Sequence, residues 1–376
     1  MIYLDNAATT HKKPDSVYLA VYRELTNAAN PGRSGHKLSI AASEHIYQTR
    51  EALSRLFKTE NTENFILTPN ATFSLNLAIS CTAEKNSDII TTSMEHNSVM
   101  RPLMQLESCN INIVRGNSYG EISPSDIERS ITQNTSLIVI NHASNVNGTL
   151  QKAEEISKIA RKHGIPLLLD ASQTAGIVEI KAEDFDMIAF PGHKALYGPQ
   201  GTGGLYIKPG LRLKDFLTGG TGSNSKELKN PDFLPDKFES GTLNTPGFSG
   251  LKAGIEFILS EGITAIKQYE DFLTDRLTDA LSNIKNAEVY SLSDTSKTSS
   301  CVAFGLKNYD SDTVSNILDE RYNIAVRGGY HCAYGAHKTI GSEKNGAVRA
   351  SVSYFNTKKD IDKLINAVNR IANESR

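Results

Sequence analysis

Cysteine is scarce in this sequence. There are four in 376 residues (Cys81, Cys109, Cys301 and Cys332), with no CxxC pair among them. That argues against a disulfide framework and a zinc knuckle, so no metal site is expected and a reducing cytoplasm is the expected location. An excess of one charge is also missing. Lys+Arg is 40 and Asp+Glu is 42, a net charge of −2, which gives no global field for nucleic acid or an anionic membrane. Long apolar runs are absent too. Mean hydropathy is −0.33, and no run approaches the roughly 18 residues of a membrane span. The opening MIYLDNAATT has no basic segment followed by an apolar one, so no secretory signal is expected. No internal repeat or low-complexity tract stands out.

What the sequence does contain is a series of short apolar runs: Phe65–Thr68, Asp88–Thr91, Ile111–Val114, Leu137–Ile140, Pro166–Leu169, Met187–Phe190 and Gly204–Ile207. Most lack period-2 alternation, as expected for strands buried on both faces of a mainly parallel sheet. Between Lys152 and Lys162 the apolar residues keep helical spacing, Gly164 is a natural stop, and a strand follows at once; the unit reads β-α-β. After about Gly247 the texture becomes α+β. A long helical stretch spans Leu251–Ile284, short strands follow, and Thr357–Asp360 forms a capping box ahead of a last amphipathic helix. Gly219–Pro235 is a polar, Gly- and Pro-rich excursion long enough to be functional. The expected organisation is a large α/β domain, residues 16–250, and a smaller C-terminal α+β domain, 251–376. Residues 1–15 form a segment that associates with the small domain.

Four elements carry chemistry. Thr68–Thr72 joins a strand to a helix, where free amides and a hydroxyl make an anion site. His96 follows the strand that begins at Asp88 and can stack on a planar ring. Asp170 ends an apolar strand, where open α/β sheets place ligand groups. Lys194 leaves another buried strand in Pro191-Gly-His-Lys194, where desolvation favours Schiff-base chemistry. Taken singly, each has an ordinary reading: an N-cap, a polar loop residue, a strand-end cap, a solvated lysine. Taken in order, they supply partners for the phosphate, ring face, ring nitrogen and aldehyde of pyridoxal 5′-phosphate (PLP).

At this point the chain resembles the class V aminotransferases of PLP fold type I, and within them the short-loop group of the cysteine desulfurase and selenocysteine lyase branch. The motifs that carry the resemblance are Tyr3–Thr9, Asn30–His36, Ser144–Gly148, Asp170–Gln173, Gly192–Lys194, Phe238–Thr242, Arg327–Ala333 and Gly346–Ser351. The resemblance implies a seven-stranded, mainly parallel sheet in the large domain and a homodimer with active sites at the interface. It implies Lys194 as the Schiff-base lysine, Asp170 on the ring nitrogen, Gln173 on the phenolic oxygen and His96 on the ring. Ala71, Thr72 and His193 would hold the phosphate, and Thr242 would reach the partner subunit's cofactor. Asn145 would touch both cofactor and substrate. Arg349 would clamp the substrate carboxylate, with His36 on the substrate side, and Cys332 would be the nucleophile.

Two departures accompany it. Asn70 and Phe73 stand where relatives usually have Gly and an acidic residue, and Asn tolerates the left-handed conformation. The segment Tyr334–Asn345 differs from the better-known sulfur-transfer members. The expected activity is conversion of L-cysteine to L-alanine, with sulfur left on Cys332 as a persulfide for an acceptor protein. A selenocysteine lyase acting on L-selenocysteine is one alternative. Another is a class V aminotransferase or lyase without persulfide chemistry. A sulfur carrier that keeps the fold without turnover is disfavoured by the intact Lys194, Asp170 and Arg349.

Overall fold

A computed structural model describes residues 1–27, 29–32 and 34–374. Arg33 of the Asn30–His36 motif lies outside the described residues. The strands are β1 (Ile2–Tyr3), β2 (Phe65–Thr68), β3 (Asp88–Thr92), β4 (Asn110–Val114), β5 (Thr135–Asn141), β6 (Leu167–Asp170), β7 (Met187–Pro191), β8 (Gly203–Ile207), β9 (Ala287–Val289), β10 (Cys301–Leu306), β11 (Ile324–Ala325) and β12 (Val348–Ser351). The helices are α1 (Asp15–Asn27), α2 (Lys37–Leu56), α3 (Ala71–Thr82), α4 (Asn97–Met104), α5 (Pro124–Arg129), α6 (Ala153–Lys162), α7 (Thr245–Glu261), α8 (Ile263–Ser282), α9 (Ser311–Tyr322), α10 (Tyr334–Ile340) and α11 (Lys358–Asn373).

Seven strands form one sheet in the order β2-β8-β7-β6-β5-β3-β4. Pairings from β4 through β7 are parallel, and only β8 runs against its neighbours. The continuous apolar runs are explained by cover on both faces. In β5, Ile138 and Ile140 point into a core with α2 and α7. Leu137 and Val139 point into a second core with α3 and α4. With no solvent face, polar alternation has no place. α6 starts with Glu154 and Glu155 and ends with Arg161 and Lys162, matching its dipole. Gly164 then takes φ +68 and turns the chain into β6.

The smaller unit has an antiparallel sheet, β12-β10-β9, and the parallel pair β1-β11. Its core joins Leu273 and Leu277 of α8, Leu318 of α9 and Leu364 and Val368 of α11 with Leu4 from the N-terminal segment. The expected single helix over Leu251–Ile284 is instead two. Gly262, at φ +87, separates α7 from α8, a conformation that glycine adopts freely. α7 straddles position 250, and its Leu251, Ile255 and Ile258 lie in the large core. The capping box is present: Thr357 Oγ1 accepts from Asp360 N–H, and Asp360 accepts from Thr357 N–H at 2.9 Å. Gly219–Pro235 contains neither helix nor strand. Among the described residues no helix is long and apolar enough to cross a membrane.

Candidate active site

Parallel strands deliver their C-terminal ends to one edge of the sheet, where ligand groups are expected. The turn after β2 comes first. Asn70 caps α3 by accepting the Phe73 N–H at 2.9 Å. Its φ is −174, extended backbone open to any residue, so the left-handed conformation considered for Asn70 is not used. Behind the turn, a Cβ on Gly203 of β8 would sit 2.9 Å from the Asn70 Cα; glycine lets strand and turn approach. The helix starts at Ala71, so the Ala71 and Thr72 amides belong to its first turn, where amides lack intrahelical partners.

After β3, His96 caps α4. Its Nδ1 accepts the Ser98 N–H at 3.0 Å, which leaves the ring proton on Nε2. Burial and the positive charge of Lys194 hold its pKa down at about 4, so the ring is neutral at pH 7. Ser98 Oγ also lies 2.8 Å from Thr72 Oγ1, tying the two strand ends together. After β5, Asn145 donates to the His331 carbonyl at 2.8 Å. At the end of β6, Asp170 is buried and accepts the Ser172 N–H at 2.9 Å. Burial raises its pKa, with the Ser172 hydrogen bonds and the Lys194 charge opposing. Gln173 donates to the Ala7 carbonyl at 3.2 Å. After β7, His193 is held by Thr9, whose Oγ1 lies 3.1 Å from its Nδ1. Lys194 follows. Burial lowers its pKa to about 8, with Asp170 opposing and Arg349 adding to the fall. The motif glycine is needed for space: a Cβ on Gly192 would lie 2.2 Å from Thr202 Oγ1.

These residues share one cavity of about 180 Å³. Ala71, Thr72, His96 and Asn145 line it on one side of the motif order, and Asp170, Gln173, His193 and Lys194 complete it. Arg349 sits beside it in β12 and is only 1% exposed. Its Nη1 donates to the Asn145 carbonyl at 2.8 Å and its Nη2 to Asp5 Oδ1 at 2.7 Å. Its Nε and the Oδ1 of Asn145 are buried with no partner among the described residues, which is costly unless a ligand supplies one. Cys332 is exposed, on a turn whose carbonyl accepts the Asn97 N–H at 2.7 Å, next to His96. Arg327 Nη2 lies 3.9 Å from its sulfur.

Two expected residues stand apart. His36 is an exposed N-cap of α2, accepting the Ser39 N–H at 3.2 Å. Thr242 is exposed, and neither lines the cavity within this chain. Conversely, sequence reasoning missed Asn141, Ser98 and Asp5. Asn141 closes β5 as Asp170 closes β6, so its strand-end position was a usable signal. Nothing in the sequence pairs Asp5 with a residue 344 positions away.

The residues present fit PLP. A lysine with a lowered pKa, a buried carboxylate able to pair with a ring N–H and open helix amides share a single cavity, and unpartnered polar atoms lie beside it. The chain matches the family model described as Aminotransferase class-V over residues 2–364. The chain belongs to that family. Within it, the chain is 33% identical to a probable cysteine desulfurase of Methanothermobacter thermautotrophicus, covering 99% of this chain and 94% of that protein. It is 30% identical to the cysteine desulfurase of Salmonella agona, over 99% and 93% respectively. The apo cysteine desulfurase of Thermococcus onnurineus superposes with a TM-score of 0.93 at 30% identity, covering 99% of this chain and 94% of that one.

Proposed function

We propose that this class V member is a PLP-dependent cysteine desulfurase that converts L-cysteine to L-alanine and takes the sulfur on Cys332. The observation that carries the reading is the placement of one exposed cysteine on a fixed turn beside a lysine- and aspartate-lined cavity. Bound there, PLP would supply an electron sink for the substrate's α-carbon. Lys194 would hold its aldehyde, Asp170 its ring nitrogen, Gln173 its phenolic oxygen and His96 its ring face. The amides of Ala71 and Thr72, the Thr72 hydroxyl and His193 would hold its phosphate.

The chain's own residues account for the remaining steps. Arg349 would present its unpartnered Nε–H to the substrate carboxylate, with Asn145 beside cofactor and substrate and His36 on the entry side. Lys194, with its pKa near 8, is close enough to neutrality at working pH to take the α-proton. Cys332 as thiolate bonds to the substrate sulfur as the carbon–sulfur bond breaks, leaving a persulfide on Cys332. The Arg327 guanidinium lies beside the Cys332 sulfur, its Nη2 3.9 Å away. Cys301 is a poor alternative, since burial pushes its thiol pKa up. An exposed persulfide at Cys332 is open to an acceptor protein.

A homodimer completes the reading. Tyr18, Leu19, Tyr22 and Leu25 leave an apolar face of α1 exposed, and Leu38 and Ile40 of α2 are exposed as well. Thr242, outside its own cavity, would serve the partner's. The large domain, the small domain with its N-terminal segment, and a cytoplasmic location complete the proposal. Product analysis tests it. Alanine and sulfide in equal amounts from L-cysteine, with an added thiol reductant to release the persulfide sulfur as sulfide, support the desulfurase. Alanine formed only as a keto acid is consumed would mean transamination, and turnover confined to L-selenocysteine would mean a selenocysteine lyase.

A further inference from the structure

The segment Tyr334–Asn345 supplies a prop for the Cys332 turn. Resting on the reading of Cys332 as the sulfur acceptor, we propose that His337 is a positioning residue that fixes Cys332 through His331. The turn needs fixing. His331 and Cys332 take φ +50 and +57 in succession, and non-glycine residues enter the left-handed region only at a cost that surrounding contacts must outweigh.

The contacts form a chain with one consistent set of protons. His331 Nε2 lies 3.2 Å from the Arg327 carbonyl oxygen. A carbonyl only accepts, so His331 carries its proton on Nε2, and its Nδ1 is an acceptor. His337 Nε2 lies 3.2 Å from that Nδ1 and must donate to it. His337 Nδ1 is then the acceptor for Ser342 Oγ–H, at 2.7 Å. Both rings are buried and stacked, with centroids 5.3 Å apart and planes at 15°. A proton added to His331 Nδ1 would set two N–H groups against each other, and burial lowers the pKa of both rings. The chain ends on a carbonyl that cannot pass a proton on. It is therefore a prop and not a proton relay.

What it props is specific. The same Arg327 carbonyl accepts the Arg349 N–H at 2.8 Å. The His331 carbonyl accepts from Asn145 at 2.8 Å. The His337 chain thus holds the nucleophile's turn against the strand bearing the carboxylate clamp, while touching neither cavity nor substrate.

The test compares His337→Phe, His337→Gln and Ser342→Ala. Phe keeps the ring and removes both bonds; Gln keeps a donor for His331. The first readout is hydrogen exchange in the peptide spanning 327–342, in protein stripped of cofactor. Exchange should rise about tenfold or more with Phe, which loses two neutral hydrogen bonds, less with Ser342→Ala, which loses one, and stay near wild type with Gln. The second readout uses holoenzyme. Persulfide formation on Cys332 should slow by about the same factor, while the concentration of cysteine that half-saturates the cofactor's absorbance change stays the same. If His337→Phe does not fold, Ser342→Ala carries the test at smaller amplitude. Unchanged exchange in the folded variants overturns the prop. An equal loss of cysteine binding overturns it too, since His337 would then act on the whole site. Failure of the parent reading looks different: Cys332→Ala would transfer sulfur normally while exchange in His337→Phe still rose.

Discussion

Replacing Arg349 by alanine should do two separable things. Arg349 is 1% exposed, and its guanidinium serves Asp5 at 2.7 Å and the Asn145 carbonyl at 2.8 Å. Removing one partner of a buried pair costs about 3–5 kcal/mol, because the other charge stays behind. The Asp5 side chain is 21% exposed, so water compensates part of the loss and about 2–3 kcal/mol is expected. The second effect is on substrate. Losing a two-pronged charged contact to the carboxylate should lower kcat/KM by about thirty- to a thousand-fold, or about 2–4 kcal/mol, with cofactor content unchanged. A double-mutant cycle with Asp5→Ala separates the two. In Asp5→Ala/Arg349→Ala no charge is stranded, so the denaturation midpoint should return most of the way to wild type. The kcat/KM should not recover, because the clamp is still missing. Denaturant titration and steady-state kinetics on the four proteins decide it. A double variant no more stable than Arg349→Ala would show that the Asp5 pair is not what Arg349 stabilises. Unchanged kinetics in Arg349→Ala would show that the carboxylate is held elsewhere, with Arg327 the next candidate.

Further outcomes are expected for Lys194 and for the dimer. In cofactor-free protein, acylation of Lys194 should rise through a midpoint near pH 8 rather than near 10.5, since burial favours the neutral amine that reacts. Asp170→Asn should move that midpoint lower, because the Asp170 charge favours the protonated form; a midpoint that rises instead contradicts the assignment. Lys194→Ala should in turn lose turnover and the visible absorbance of lysine-bound cofactor, and a borohydride-reducible link to PLP in that variant would mean another lysine is the anchor. Light scattering should give a dimer at micromolar concentration. Replacing Tyr22 and Leu25 with charged residues should yield monomers with reduced activity, whereas fully active monomers would remove Thr242 from the account.

Much of this was legible in the sequence because both-face burial writes itself as unbroken apolar runs, and β5, β6 and β7 are such runs. Strand ends then placed His96, Asp170 and Lys194 in one cavity. Local chemistry read well where it was local: the Thr357 capping box and the Gly164 stop. It read poorly where one glycine decides. Helical periodicity runs through Gly262, and only its positive φ separates α7 from α8. Contacts between distant segments left no trace, as with Asp5 on Arg349. The resemblance, not the pattern, named Arg349 and Cys332, as it did His36 and Thr242, which do not line the cavity within this chain. The His331–His337 stack spans a turn and a helix whose geometry no spacing rule encodes.

The most direct test of the account is mass spectrometry of the holoenzyme after a brief incubation with L-cysteine, using wild type and Cys332→Ala. Neither cofactor binding nor substrate binding needs the thiol, so the variant should keep its colour and its cysteine-induced absorbance change. A one-sulfur adduct should appear on the peptide carrying Cys332 in wild type and be missing from the variant, whose sulfur release should fall by orders of magnitude. An adduct on Cys301, Cys109 or Cys81 instead, or wild-type desulfuration by Cys332→Ala, would contradict the account and leave a class V enzyme of other chemistry.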